Sequence, residues 1–113
     1  MITLYHNPRC SKSREALQLL EASGHPFEVV DYQKEPLSTG ALEELLLQLG
    51  MRAEDLIRKN EALWKQEYKS RPLSEKELIG LMLEHPRLME RPIAVSGGRA
   101  VLGRPPERVL ELI

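Results

Sequence analysis

What the chain has little of sets its first limits. It holds a single cysteine, Cys10, so no disulfide can form within it, and the thiol suits a reducing compartment; a cytoplasmic location is expected. Its longest apolar stretches run to only a few residues, as in Leu45-Leu46-Leu47, and the amino end Met1-Ile2-Thr3-Leu4-Tyr5 leads straight into a polar loop. Neither a transmembrane span nor a secretory segment is expected, and no membrane partner. An excess of either charge is also missing, because 16 Lys and Arg oppose 17 Asp and Glu for a net charge of -1. No global field draws such a protein to nucleic acid or an acidic surface, so any anion site has to be local. Trp64 and Tyr68 stand at helical spacing and read as packing residues, which leaves no stacking platform for bases.

What is present fits one domain spanning 1–113. With 113 residues and 42% apolar content, the chain can bury a core without a metal or disulfide staple. Ile2 to Tyr5 reads as a strand, His6-Asn7-Pro8 as a turn, and Ser13 to Ala22 as a helix with apolar Ala16, Leu17, Leu19 and Leu20. Gly24-His25-Pro26 stops that helix, and Phe27 to Tyr32 has strand composition. A second helix opens at Ser38 and closes at Gly50. A weaker helical pattern covers Ala53 to about Glu67, and Ser74 with Glu77 forms a capping box for a helix ending near Glu84-His85-Pro86. After Pro92, Ile93 to Ser96 and Arg99 to Leu102 flank Gly97-Gly98, a hairpin signal with a primed turn. Pro105-Pro106 then opens a last short helix. The order β-α-β, helical insert, β-β-α predicts an α/β protein of thioredoxin-like fold, with a mixed four-stranded sheet and a helical insertion in the middle third. That layout places a cis-proline, Pro92, facing the cysteine loop; the sequence itself leaves the isomer open.

Cys10 falls between the first strand and the first helix. A helix start directs unpaired N–H groups and the positive end of its dipole at whatever occupies it, which lowers a thiol's pKa. Arg9, Lys12 and Arg14 flank the sulfur, and Ser11 or Ser13 supplies a cap or a hydrogen bond. Cys10-Ser11-Lys12-Ser13 has serine where a two-cysteine redox motif has its resolving thiol, so an oxidised Cys10 must be rescued by a thiol from outside. A phosphatase-type loop needs arginine at position 16, where Ala16 stands. His6 with Cys10 is at most half of a metal pair, and His25 and His85 add no ligand spacing, so no metal site is expected. His6 reads instead as a neighbour that tunes or orients the thiol. Arg58, Arg91 and Arg104 lie at element edges. If Pro92 faces the cysteine, Arg91 and the end of the hairpin lie close to it, and planar guanidinium groups suit tetrahedral oxyanions. Pattern alone leaves Arg58 open.

The chain resembles the glutaredoxin-linked arsenate reductases. The resemblance rests on Tyr5-His6-Asn7-Pro8-Arg9-Cys10-Ser11-Lys12-Ser13-Arg14, Leu56-Ile57-Arg58-Lys59-Asn60, His85-Pro86 leading to Arg91-Pro92-Ile93-Ala94-Val95, and Gly103-Arg104-Pro105-Pro106. It implies reduction of arsenate, or a related oxyanion, to arsenite through a covalent adduct on Cys10. Glutathione acts as co-substrate, glutaredoxin as protein partner, and no cofactor stays bound. It also implies that Arg58, Arg91 and Arg104 hold the oxyanion, with His6, Ser13 and Pro92 in support. Two other functions are weighed against it: a general glutathione-dependent thiol oxidoreductase, and a non-catalytic regulator that binds RNA polymerase. Regulators of that kind usually carry a two-cysteine switch, which Ser13 argues against.

Overall fold

Alternate burial along Ile2-Thr3-Leu4-Tyr5-His6, with Ile2, Leu4 and His6 inside, is the signature of a strand resting one face on a core. The computed structural model describes residues 1–113 and divides them into two units, Met1–Glu35 with Arg91–Ile113, and Pro36–Glu90.

The first unit holds strands β1 (Ile2–His6), β2 (Phe27–Asp31), β3 (Ile93–Ser96) and β4 (Arg99–Leu102), helix α1 (Ser11–Ser23), and a closing 3-10 helix over Pro106–Leu112. The sheet order is β2-β1-β3-β4. β1 runs parallel to β2 and antiparallel to β3, and β3 pairs antiparallel with β4, the mixed four-stranded sheet expected from the sequence. α1 buries Ser13, Ala16 and Leu20, one stripe at spacings of three and four. That stripe meets Ile2, Leu4, Ala94, Val101 and Val109 in the core, where each fully buried Leu, Ile or Val side chain contributes about 2 kcal/mol from apolar burial. Gly97 and Gly98 both take positive φ, 58° and 79°, as a type I′ turn requires.

The second unit is helical. α2 (Thr39–Leu49) is capped by Ser38, whose Oγ accepts the Ala41 N–H at 3.1 Å, and it ends in left-handed Gly50. α4 (Glu75–Glu84) opens with the Ser74–Glu77 capping box. Between them the structure corrects the expected helix from Ala53 to Glu67. Only α3 (Ala53–Leu56) forms; Ile57 turns extended and bridges Met89, and a separate π turn covers Trp64–Tyr68. Tertiary pairing decides this. The Arg58 N–H donates to the Leu88 carbonyl at 2.7 Å and the Glu90 N–H to the Leu56 carbonyl at 2.8 Å, bonds open only to an extended backbone. The β-branched Ile57 favours that conformation. No helix is long and apolar enough to cross a membrane.

Candidate active site

Strand register brings the site together. Tyr5 pairs with Ile93 across β1 and β3, and Leu102 pairs with Ile93 across β3 and β4. The chain leaving β1, the Pro92 that enters β3 and the Gly103 that leaves β4 therefore emerge at the same end of the strands. His6, expected in a turn, is the last residue of β1 and is buried. Burial lowers its pKa, against Asp31, which raises it; Arg14 adds to the lowering and Ser13 opposes it, and the net direction is down. The ring is thus held toward its neutral form.

Asn7 shapes the cysteine loop. Its carbonyl accepts the Cys10 N–H at 3.0 Å, its Oδ1 accepts the Arg9 N–H at 3.0 Å, and its own N–H donates to the Ser13 Oγ at 3.3 Å. Asn7 and Ser13 are both buried, so the bond between them holds the loop where water competes little. Ser13 lies inside α1 rather than at its start: the helix begins at Ser11, with Cys10 as its N-cap. The two serines that follow the true cap, Ser11 and Ser13, hid that boundary in the sequence, since each is a good capping residue.

Cys10 is 9% exposed, yet its thiol sits below its ordinary pKa. Burial pushes it up. Acting together against burial, the backbone N–H of Ser13, the hydrogen bond from the Arg91 side chain, the backbone N–H of Lys12 and the Arg91 charge outweigh it. The three cations adjacent in sequence are exposed, with Arg14 Nη1 on the Pro8 carbonyl at 3.0 Å and Lys12 paired to Glu15 at 3.7 Å. The helix start and a distant arginine, not the flanking charges, favour the thiolate.

The second half of the site comes from the far end of the chain. The Arg91–Pro92 and Arg104–Pro105 bonds are both cis, the second with no forewarning in the sequence. Arg91 is itself buried. Arg104 Nε donates to the Arg91 carbonyl at 2.9 Å, and its Nη2 reaches Cys10 Sγ at 4.0 Å. Nε engaged on backbone and Nη2 on the sulfur hold the guanidinium plane beside the thiol. The structure therefore brings Cys10, Ser13, Arg91, Pro92 and Arg104 together, with His6 at the adjoining strand end. Arg58 belongs to the helical unit, half-buried just past α3. Chemically, such an arrangement offers a sulfur nucleophile whose ionisation is favoured, beside guanidinium donors suited to a tetrahedral anion.

Residues 5–112 match the ArsC family. Over 114 aligned positions the chain is 49% identical to the uncharacterized protein YfgD of Escherichia coli K12, covering 99% of this chain and 96% of that one. It is 40% identical over 110 positions to an arsenate reductase of Neisseria meningitidis serogroup B, covering 96% and 94%. Among solved structures, an arsenate reductase from Vibrio cholerae superposes with a TM-score of 0.93 at 44% identity, covering 99% of this chain and 97% of that one.

Proposed function

The chain belongs to the ArsC family, and from that premise we propose that it reduces arsenate to arsenite through Cys10, with glutathione and glutaredoxin as the source of electrons. One observation carries the reading: the only thiol of the chain is lowered in pKa by backbone N–H groups and Arg91, and Arg104 Nη2 stands 4.0 Å from it. Relatives named arsenate reductase at 40% identity support the choice of substrate.

In this mechanism the Cys10 thiolate attacks arsenic. An S–As bond forms, and one arsenate oxygen leaves as water after protonation. Arg91 and Arg104 hold the remaining oxygens and offset their charge, while Ser13, Pro92 and His6 keep the loop and the arginines in place. Glutathione then attacks the Cys10 sulfur of the adduct. The new S–S bond joins the two sulfurs, the S–As bond breaks, and its electron pair stays on arsenic, which departs as arsenite. Glutaredoxin attacks the glutathione sulfur of the mixed disulfide and returns Cys10 as thiolate. With no second cysteine in the chain, the resolving thiol has to be external.

The test is arsenate-dependent NADPH consumption in the presence of glutathione, glutaredoxin and glutathione reductase. Turnover is expected for the wild type and should vanish in Cys10→Ser. Consumption at background with arsenate, but fast with a model mixed disulfide, would replace this reading with a general glutathione-dependent oxidoreductase.

A further inference from the structure

Gly103 is buried and directly follows β4. Its N–H donates to the Pro92 carbonyl at 2.8 Å, extending the β3–β4 ladder one step beyond Ile93 and Leu102. A Cβ added there would lie 2.7 Å from Pro92 Cγ, 3.1 Å from Val109 Cγ1 and 3.3 Å from Pro92 Cδ. The backbone of Gly103 lies outside the positive-φ region, so the position does not need glycine for its dihedrals. It needs glycine for space. The obstructing atoms belong to a ring closed onto the backbone of Pro92, which cannot swing aside as the end of a flexible side chain does.

We propose that Gly103 is a positioning residue for the sulfur's arginines: its bare α-carbon lets the end of β4 close on Pro92 so that Arg104 engages Arg91. The path is short and made of contacts already described. Gly103 sits on Pro92; the next residue, Arg104, anchors Nε on the carbonyl of the residue before Pro92; and Nη2 then points at Cys10 Sγ. A methyl group at position 103 pushes these two backbones apart, which lengthens the 2.8 Å bond between them and, with it, the 2.9 Å anchor of Arg104. This inference rests on the reading of Arg91 and Arg104 as the groups that serve the thiolate and its oxyanion.

Gly103→Ala tests it through two readings, the pH midpoint of Cys10 alkylation without arsenate and the arsenate KM against kcat. Folded Gly103→Ala is expected to show a midpoint raised toward that of an ordinary thiol and an arsenate KM raised on the order of tenfold, as loss of a charge-assisted hydrogen bond gives. Gly98→Ala is the control. It strains the hairpin at φ 79° but places its Cβ within 4 Å of nothing, so it should lower stability and leave both readings alone. A folded Gly103→Ala with wild-type values overturns the proposal, and so does a Gly98→Ala that moves both readings as far. If Gly103→Ala does not fold, the measurements pass to Gly103→Ala with Val109→Ala, which removes the 3.1 Å contact. Failure of that pair while Val109→Ala alone folds would assign the glycine to the core instead. Because the alkylation midpoint needs no arsenate, it judges Gly103 even where the wild type turns over none.

Discussion

At the scale of single residues, Arg104 does two separable things. Nε holds it to the Arg91 carbonyl, and Nη2 faces the sulfur. Lysine at this position keeps a charge but has neither the anchor nor the fork. Arg104→Lys is therefore expected to weaken arsenate binding on the order of tenfold or more, equivalent to about 1.5–3 kcal/mol for a hydrogen bond to a charged group. Its thiol midpoint should rise only part of the way, since the N–H groups of Ser13 and Lys12 and the charge of Arg91 remain. Steady-state KM and an alkylation profile check both, and an unchanged KM would place Arg104 outside the oxyanion site. Cys10 was legible in the sequence because its place at a strand-to-helix junction is a local feature. Asn7 and Gly103 were not: one acts through its backbone and an amide within a buried loop, the other by having no side chain where a distant proline packs, and neither leaves a pattern in spacing.

At the scale of elements, the start of α1 acts on the sulfur through backbone donors, whereas the Ser13 hydroxyl serves the loop by accepting the Asn7 N–H. Ser13→Ala separates these roles. It leaves a buried N–H without its acceptor, a cost of about 1–3 kcal/mol in chemical denaturation, but retains the N–H at position 13, so the alkylation midpoint should hold close to that of the wild type. A midpoint returned to the ordinary value would mean the hydroxyl, not the helix start, favours the thiolate. The elements themselves were readable wherever a local rule governs them: Gly97-Gly98 for the hairpin, Ser74 with Glu77 for α4, Gly50 for the end of α2. The stretch after Leu56 was not, because Ile57 answers to Met89, 32 positions away by residue number, and a helical pattern in composition carries no information about such a partner.

At the scale of the whole molecule, a net charge of -1 coexists with a cationic site because the fold gathers arginine locally. Cys10 and Arg104 lie 94 positions apart in the chain, and the pairing of β1 and β4 with β3 sets them side by side. The lowered thiol pKa is accordingly a property of the folded state. An acid whose pKa falls on folding stabilises the native form as it ionises. Relative to Cys10→Ser, the wild type should thus gain stability as pH rises through the lowered pKa, with the gain complete above the ordinary thiol value of about 8.5, and lose it again on acidification. The most direct measurement is the pH profile of Cys10 alkylation, in native protein and again in denaturant. The native midpoint is expected below that of the unfolded chain, which should lie close to about 8.5; a native midpoint equal to or above that of the unfolded chain would contradict the account.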